Sequence, residues 1–485
     1  MSSKPSSAEV RRALHRAADM AADYLERVGD YPVYPGVEPG ELARELPPSA
    51  PEEAEALDTI LDDYKALIEP RVTHWNHPGF LAYFGISGSG PGVIGEMLSA
   101  ALNVNAMLWR TSPAATELEV RVCDWLRQMV GLPTEFRGHI NDTASISTML
   151  ALAAARHRVP GLQVRERGMA GRADLPVLTV YGSDQAHSSF DKGAMTLGFG
   201  LDNIRRIGSD ERFRMDPGEL RRAIREDRER GCTPVAVVAT AGTTSTTSVD
   251  PLVAIADVCS EEGLWLHVDA AYAGSAAICP ELRELLVGWE RADSVVLNPH
   301  KWLLTPIDCS VLFVRDQDQL VSTFSIVPEY LKSDDQEVVN LMDLGVQLGR
   351  RFRALKLWMV IRAYGVQGLR EVIREHCRLA RELADRIRES PRFELAAPVP
   401  FSTVCFRATT REGGEADDAL NERVLNEVNA VGPVFLSHTR LDGRYVIRAA
   451  IGNVKTSRDN VAEAWSLLSQ SAERLAASEP DRPRT

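Results

Sequence analysis

Apolar and polar residues follow different patterns along the chain, and these patterns predict three regions. Residues 1–82 repeat apolar positions at helical spacing on both sides of a Pro-rich stretch between Tyr31 and Pro51, which predicts two helical stretches with a break between them. Amphipathic helices of this kind cannot bury both faces alone. Residues 1–82 are therefore predicted to be an N-terminal helical dimerisation segment.

The middle region, residues 83–370, alternates between short β-branched runs and helical patterns. Because these runs are apolar at consecutive positions, they predict strands buried on both faces, as in an α/β fold with a mainly parallel sheet. Ser112-Pro113 and Asp250-Pro251 each place a capping side chain before a proline at a predicted helix start. The predicted strands are Val177–Tyr181, Val235–Thr240, Leu264–Val268, Ser294–Leu297 and Val311–Val314.

The last region, residues 371–485, contains a long charged helical pattern followed by two segments of alternating polarity, Ser402–Phe406 and Tyr445–Ala450. Alternation with a period of two residues predicts half-buried strands. Another helical pattern and a polar tail follow. This order predicts a small C-terminal α+β domain.

Composition narrows the class of protein. Asp and Glu (68) outnumber Lys and Arg (55), which argues against non-specific binding to nucleic acid or to anionic membranes. The seven cysteines form no CxxC pair, so buried free thiols in a reducing cytoplasm are expected and a zinc site is not. No run of about 18 apolar residues predicts a membrane span, and the first twenty residues predict no secretory signal.

Asp269 is the first candidate for chemistry. It follows the predicted strand Leu264–Val268, at the end of a strand where open parallel sheets place their ligand sites. A carboxylate there needs a cationic partner, because an unpaired buried charge is very costly. A helix cap is the alternative role, although the small Ala270-Ala271 pair that follows would let a flat ring approach closely.

Lys301 is the second candidate. It lies in Asn298-Pro299-His300-Lys301-Trp302, directly after the predicted strand Ser294–Leu297. Lysine is rarely buried, and in an apolar setting beside His300 it is expected to have a lowered pKa and to be nucleophilic. A Schiff-base lysine requires these properties, whereas a solvated lysine after a strand is the alternative.

These strings and several others resemble the group II decarboxylases that depend on pyridoxal 5′-phosphate (PLP), and most closely the aromatic-L-amino-acid branch. The resemblance extends from about Tyr31 to about Ala464. It implies the aspartate-aminotransferase-type fold (fold type I), PLP as cofactor, and a homodimer with shared active sites. The matching strings are Thr73–Trp75, Ala82–Phe84, Gly95–Ser99, Ser112–Glu119, His267–Gly274, Asn298–Leu304 and Leu348–Arg353.

The resemblance assigns roles by position. Lys301 matches the cofactor lysine, and Asp269 matches the acid that pairs with the pyridine nitrogen and so favours the pyridinium electron sink. His187 matches the imidazole that stacks on the cofactor ring, although a lone histidine in a polar loop is more often exposed. Gly349 matches a residue that reaches the cofactor phosphate of the partner subunit. Further implied cofactor contacts are Ala144, Ser145, Thr244, Ala271, Ser294, Asn298 and His300.

Ala144 and Ser145 match a phosphate-binding turn at the start of a predicted helix. A helix N-terminus offers unpaired N–H groups and a positive dipole end to an anion. Asp142, two residues earlier, is unexpected next to a dianionic phosphate, and capping of the helix is an alternative role for it.

Tyr330 bears on the reaction type. It matches a loop tyrosine that returns a proton after CO₂ leaves, and together with His187 it favours simple decarboxylation; an aromatic residue that only packs is the alternative. An aldehyde synthase and an aminotransferase-like enzyme remain alternatives on the same fold, and in the second Arg448 would hold the α-carboxylate. A non-catalytic regulator is disfavoured, because no basic DNA-binding segment accompanies the intact site.

The resemblance also implies substrate contacts. Asn105 and Met107 replace the Ile and Phe that the aromatic branch tends to present from the partner subunit. This change removes ring stacking and adds an adaptable thioether and a hydrogen-bonding amide. An L-amino acid with an aromatic or bulky apolar side chain is therefore predicted. The implied contacts are Trp75, Tyr83, Phe84, Ile86, Asn105 and Met107.

Overall fold

The computed structural model describes residues 4–86, 88–326, 338–410 and 412–477. These residues form two compact units. The first contains the chain up to Gly85, Arg381–Ala396 and the chain from Phe406 onward, and the second contains Ile86–Ala380 and Ala397–Cys405. The boundaries predicted at residues 82 and 370 stay a prediction. They separate segments with different predicted roles, whereas the two units here are groups of residues that pack compactly.

Helices and strands alternate through most of the second unit. In the described residues the α-helices are α1 (Ser7–Arg27), α2 (Glu41–Glu45), α3 (Leu57–Asp63), α4 (Gly90–Leu102), α5 (Pro113–Val130), α6 (Ala144–Arg158), α7 (Val164–Arg167), α8 (Ser189–Thr196), α9 (Pro217–Glu229), α10 (Leu252–Glu262), α11 (Pro280–Arg283), α12 (Pro299–Trp302), α13 (Asp318–Phe324), α14 (Ala354–Glu389), α15 (Glu415–Val431) and α16 (Arg458–Ala477). The strands are β1 (Arg137–Asn141), β2 (Leu178–Ser183), β3 (Ile204–Ile207), β4 (Thr233–Thr240), β5 (Trp265–Asp269), β6 (Ser294–Leu297), β7 (Ser310–Val314), β8 (Phe393–Leu395), β9 (Thr403–Ala408), β10 (Ser437–Leu441) and β11 (Arg444–Ala450).

The second unit is built on a seven-stranded sheet, in the order β1-β7-β6-β5-β4-β2-β3 among the described residues. Strands β3, β2, β4, β5 and β6 pair in parallel, whereas β7 pairs antiparallel with both β6 and β1. All five strands predicted for this region are present, and the predicted mainly parallel sheet is confirmed. Helix α6 packs on strands β4 to β7, and α9 and α10 pack on strand β4.

One edge of this sheet collects the carboxyl ends of six strands. Because β1 is antiparallel to β7 and β7 is antiparallel to β6, β1 runs in the same direction as the parallel strands. The carboxyl ends of β1, β2, β3, β4, β5 and β6 therefore lie along one edge, named here the carboxyl edge. Open α/β sheets bind their ligands at such an edge.

The two predicted helix starts have different outcomes. Helix α5 begins at Pro113 as predicted, although the side chain of Ser112 makes no capping hydrogen bond. The predicted capping role of Asp250 is wrong. Its carboxylate accepts hydrogen bonds from the N–H groups of Met215 (2.8 Å) and Thr240 (2.7 Å), so it joins the end of β4 to a neighbouring segment. Burial raises the pKa of Asp250 to about 6.

The predicted C-terminal strands are also present. Ser402–Phe406 and Tyr445–Ala450 correspond to β9 and β11 of a four-stranded sheet with the order β10-β11-β9-β8. The predicted half-burial is wrong, because every residue of both segments is buried. Within the first unit, Phe80 forms a parallel bridge with Phe435, and Ala450 donates its N–H to the carbonyl of Leu81 (2.8 Å). The N-terminal region and the C-terminal region thus share one compact unit through backbone pairing.

Two predictions from composition can be compared with the structure. All seven cysteines are free thiols, and six of them are buried, which confirms the expected thiol state. Among the described residues, no helix combines the length and the apolar character that crossing a membrane requires.

Candidate active site

Four predicted site residues follow four strands at the carboxyl edge. His187 follows β2, Thr244 follows β4, Asp269 ends β5, and Lys301 follows β6. Because these strands are parallel neighbours, their carboxyl ends bring the four residues to the same edge of the sheet. Thr244 is exposed in the loop after β4.

Asp269 is held at the end of β5 by a hydrogen bond of its own carboxylate and by backbone pairing of the next residue with β6. Its Oδ1 atom accepts the N–H of Ala271 (3.0 Å), and the N–H of Ala270 donates to the carbonyl of Val296 on β6 (3.0 Å). The residue retains 7% of its surface, so the carboxylate reaches the edge of the sheet. A negative charge fixed in this position attracts a cationic group of a ligand.

Lys301 lies on the one-turn helix α12 and is half-buried. The N–H of Asn298, which precedes the helix, donates to the carbonyl of Ala271 (3.0 Å), and the N–H of Lys301 donates to the carbonyl of Asn298 (2.9 Å). The turn that carries the lysine is therefore joined to the buried segment that follows Asp269.

His187 is exposed but lies near both of these charged groups. Its Nδ1 atom accepts hydrogen bonds from the N–H of Ser189 (3.1 Å) and from the hydroxyl of Ser189 (2.9 Å), so the neutral ring carries its proton on Nε2. Partial desolvation of the ring lowers the pKa of His187; the charge of Asp269 raises it and the charge of Lys301 lowers it further. The side chains of His187, Asp269 and Lys301 therefore lie within electrostatic range of one another.

His300 is a buried neutral neighbour of Lys301. Burial, followed by the charges of Lys301 and Lys356, lowers the pKa of His300 to about 3. Its Nδ1 atom accepts the N–H of Cys309 (2.9 Å), so Nε2 carries the proton. The imidazole can donate a hydrogen bond without carrying a charge.

The N-terminus of α6 has the properties of an anion site. Ala144 is buried and Ser145 is exposed in its first turn, and the side chain of Thr143 at the N-cap makes no capping bond. The alternative capping role of Asp142 is wrong, because its carboxylate accepts the N–H of Thr143 (2.6 Å) and the side-chain amide of Gln347 (3.1 Å). No side-chain cap therefore competes with an anion for the N–H groups of the first turn.

Ser294 and Asn298 differ in how well they fit a cofactor contact. The Ser294 hydroxyl is fully buried on β6, where it accepts the indole N–H of Trp265 (2.9 Å) and hydrogen-bonds with His267 Nδ1 (2.9 Å). This position inside the sheet gives the predicted contact of Ser294 no support. Asn298 is 2% exposed, and its side-chain oxygen has no hydrogen-bond partner among the described residues.

Gly349, Asn105 and Met107 lie together at the surface of the second unit. A Cβ atom on Gly349 would lie 4.0 Å from Nδ2 of Asn105. The Asn105 amide was expected to offer a hydrogen bond to a substrate. Instead, its Oδ1 atom accepts the N–H of Arg350 (2.9 Å) and its Nδ2 atom donates to the sulfur of Met107 (3.3 Å).

The aromatic substrate candidates of the first unit form their own cluster. Trp75 stacks on Tyr83 with ring centroids 5.7 Å apart and an interplanar angle of 17°. Arg448 donates a hydrogen bond to the carbonyl of Tyr83, and its guanidinium lies 4.5 Å from the ring centre of Phe84. Arg448 therefore holds the turn that presents these rings.

Two further predicted site residues belong to neither of these groups. Ile86 is half-buried at the start of the second unit. Tyr330 lies outside the described residues, so its predicted role stays a prediction. Ser189, which orients His187, was not predicted, although it lies only two residues after His187.

The residues at the carboxyl edge fit a phosphorylated pyridine aldehyde such as PLP. The uncapped α6 N-terminus suits its phosphate, and the Asp269 carboxylate suits a protonated ring nitrogen. The Lys301 amine suits its aldehyde carbon. The unpartnered Asn298 oxygen, buried beside Lys301, leaves one further polar atom for a ligand.

Comparison with known proteins agrees with this fit. Residues 39–409 match the model of the pyridoxal-dependent decarboxylase conserved domain. The chain is 42% identical to a phenylacetaldehyde synthase of Arabidopsis thaliana (97% of each chain) and 44% identical to tyrosine decarboxylase 4 of Petroselinum crispum (96% of this chain, 94% of that protein). The fold matches a crystal structure of Oryza sativa TDC with PLP and tryptamine, with a TM-score of 0.93, 40% identity, and coverage of 98% and 99%.

Proposed function

The chain belongs to the pyridoxal-dependent decarboxylase family, as a PLP-dependent carboxy-lyase of fold type I that acts on amino acids, and from this premise we propose that its substrates are aromatic L-amino acids of the tyrosine and tryptophan type. The observation that carries the site assignment is the convergence of His187, Asp269 and Lys301 at the carboxyl edge. A similar tyrosine decarboxylase and a similar structure with bound tryptamine support the choice of side chain.

The residues of the carboxyl edge have complementary roles in this proposal. When bound, PLP supplies an electron sink for the electron pair that remains after CO₂ departs. Asp269 keeps a negative charge at the end of β5 and so favours a proton on the ring nitrogen. Lys301 provides the amine to which the cofactor is attached, and the first turn of α6 binds the phosphate. Neutral His187 presents its ring and its Nε2 proton to the same edge.

The preference for aromatic or bulky apolar side chains rests on two surfaces. Tyr83 is 55% exposed and stacks on Trp75, which gives an accessible aromatic surface. Met107 packs on Leu108 and Met342, and its thioether can adapt to side chains of different shape. Tyr330 is the residue that we propose returns the proton to the carbon from which CO₂ departs.

We also propose a cytoplasmic homodimer with shared active sites. Helix α1 has no buried residue, although amphipathic helices normally bury one face. Helix α4 exposes apolar side chains that suit a subunit interface, and the exposed Gly349 is proposed to contact the cofactor phosphate of the partner subunit. The exposed α4 residues are Ile94, Met97, Leu98 and Leu102.

Aldehyde formation is the second candidate activity. A phenylacetaldehyde synthase covers 97% of this chain at 42% identity, so a similar scaffold is associated with that product. Simple decarboxylation releases the amine and CO₂, whereas the oxidative reaction consumes O₂ and water and releases the aldehyde, CO₂, ammonia and hydrogen peroxide.

A product balance tests the proposal. PLP-loaded protein is incubated with L-tyrosine, L-tryptophan, L-phenylalanine, L-leucine, L-methionine and L-glutamate, and CO₂, amine, aldehyde and hydrogen peroxide are quantified. We expect amine equal to CO₂ with the aromatic substrates, and no product from Lys301→Ala. Lys192→Ala, which removes an exposed lysine close to His187, is the matched control and should keep the activity.

The other outcomes contradict specific parts of the proposal. Aldehyde with hydrogen peroxide would replace simple decarboxylation by the second candidate. Turnover of glutamate alone would contradict the assigned substrate class. A keto acid without CO₂ would contradict decarboxylation itself.

A further inference from the structure

The helix that carries Lys301 depends on its neighbours for its orientation. Helix α12 has only four residues, too few for an isolated helix to be stable in water. His300 and Trp302, on either side of the lysine, are 4% and 1% exposed. Because consecutive helical residues point about 100° apart, these two anchors determine the direction in which the Lys301 side chain leaves the helix.

The Trp302 anchor is part of a buried aromatic stack. Its ring lies 4.5 Å from that of Tyr272 at an interplanar angle of 4°, and Phe401 packs against it edge-on at 87°. The Tyr272 hydroxyl shares a hydrogen bond of 2.5 Å with Ser402. Since Tyr272 follows Asp269 by three residues, the stack joins the turn that carries the lysine to the segment that carries the carboxylate.

His376 completes the stack from helix α14. Its Nδ1 atom accepts the indole N–H of Trp302 (2.9 Å), and the two rings are nearly parallel at 8°. His376 is 2% exposed, so the indole N–H has its acceptor inside the protein. A buried N–H group without an acceptor destabilises the arrangement that buries it, and the imidazole therefore selects one orientation of the indole plane.

We propose that His376 is a positioning residue for Lys301. It fixes the Trp302 ring on Tyr272, and the fixed ring holds α12 so that the lysine amine points to the cofactor aldehyde. The proposal rests on Lys301 being the cofactor lysine. His376, which lies 75 positions after Lys301 in the sequence, would then act on the lysine through Trp302.

The rate of cofactor attachment tests this role. Cofactor-free protein is mixed with PLP, and covalent attachment is followed by its absorbance change. His376→Leu removes the acceptor and should slow attachment by about tenfold or more, since small displacements of a reacting group are costly. His376→Asn should restore most of the rate, because its side-chain oxygen occupies the place of Nδ1. Equal rates for all three proteins would overturn the proposal.

A second measurement separates positioning from general loosening. In the Lys301→Ala background PLP binds without covalent attachment, and adding His376→Leu should change its dissociation constant by less than about twofold, as for independent sites. If His376→Leu weakened PLP binding by the same factor in the Lys301→Ala background and in the protein that has Lys301, the proposal would be overturned. Covalent capture of PLP by Lys301→Ala would instead contradict the assigned cofactor lysine.

His77 provides the matched control. It is a buried histidine of the first unit whose Nδ1 accepts the N–H of Gly79 (2.9 Å). His77→Leu should lower the thermal midpoint and leave the attachment rate unchanged. Slowing of attachment by His77→Leu to the same extent as by His376→Leu would show that the rate reports stability alone, and would overturn the proposal.

Discussion

Asn105 and Gly349 lie side by side at the surface of the second unit, with Nδ2 of Asn105 4.0 Å from the place where a Cβ atom on Gly349 would lie. The backbone next to Gly349 is held by the same asparagine, because Asn105 Oδ1 accepts the N–H of Arg350 and the N–H of Ala106 donates to the Arg350 carbonyl. Gly349, which we propose contacts the partner's phosphate, and Asn105, which the sequence predicted as a substrate contact, therefore form one surface.

Gly349→Leu tests whether this surface serves the other subunit. The protomer has room for the side chain at this position, so the free energy of unfolding should change by less than about 0.5 kcal/mol. The dissociation constant for PLP should rise about tenfold or more if the side chain obstructs a site in the partner. Gly368→Leu in α14, where the nearest atom would be 3.6 Å away, is the control. Wild-type affinity in Gly349→Leu would contradict the shared site.

Asp269→Asn should separate chemistry from folding. The asparagine oxygen can still accept the N–H of Ala271, so the thermal midpoint should change little. Loss of the charge should lower kcat by about 10²–10³-fold, the usual effect of removing one preorganised electrostatic contact. Activity within twofold of wild type would contradict the role assigned to the carboxylate.

Asp250→Asn is the matched comparison, because Asp250 is a second buried aspartate joined to a strand end. Each of its carboxylate oxygens accepts one backbone N–H. An amide would place its NH₂ group against one of these donors, so the thermal midpoint should fall. The two variants should therefore affect different properties: Asp269→Asn should lower activity, and Asp250→Asn should lower stability.

The strands that the sequence predicted differ physically from those it did not. Strands β4, β5 and β6 are apolar at consecutive positions because both their faces are buried. Strands β1 and β3 form the two edges of the sheet, and edge strands tolerate charged side chains such as Arg137, Arg205 and Arg206. Runs that contain these arginines do not stand out from loops in the sequence.

The candidate site also combines residues that the sequence predicts with contacts that it does not predict. Asp269 and Lys301 were predictable because each follows a buried strand within a long recognisable string. The engagement of the Asn105 amide by Arg350 was not predictable, because the two residues are 245 positions apart. The Trp302–His376 hydrogen bond likewise joins residues from distant parts of the chain, and no local pattern marks His376.

Buried neutral histidines predict loss of stability in acid. Burial lowers the pKa of His139 to about 3, of His267 to about 4 and of His300 to about 3. Below about pH 6.5 the unfolded chain binds protons that these folded side chains exclude, so each destabilises the fold by about 1.4 kcal/mol per pH unit. Asp250, with its pKa raised to about 6, takes up a proton on acidification and offsets one of the three.

Together these four groups contribute about 2.7 kcal/mol of lost stability per pH unit between about pH 6 and pH 4, about 1.36 kcal/mol for each of three histidines less the same amount for Asp250. Thermal midpoints of the cofactor-free protein at about pH 7 and about pH 5 measure it. His267→Gln removes one titrating group and should reduce the loss of stability by about 1.4 kcal/mol per pH unit. An unchanged pH dependence in that variant would contradict the assigned cause.

Asp142→Asn should tighten cofactor binding. Asp142 lies two residues before the first turn of α6, so its charge opposes a bound phosphate by about 1 kcal/mol in a water-like environment. Neutralisation should lower the dissociation constant for PLP by about two- to fivefold. Gln347→Leu, which removes the hydrogen bond to Asp142 and keeps its charge, should not tighten binding. Weaker binding in Asp142→Asn would show that the residue acts as a structural link.

The assignment of Lys301 as the cofactor lysine is the central claim of the account. Reduction of the PLP-loaded protein with borohydride fixes the cofactor on its lysine, and mass spectrometry of the digested protein locates it. We predict that the added mass lies on the peptide that contains Lys301. Its appearance on Lys356, a lysine that is 1% exposed and paired with Glu96, or on any other lysine would contradict the assignment.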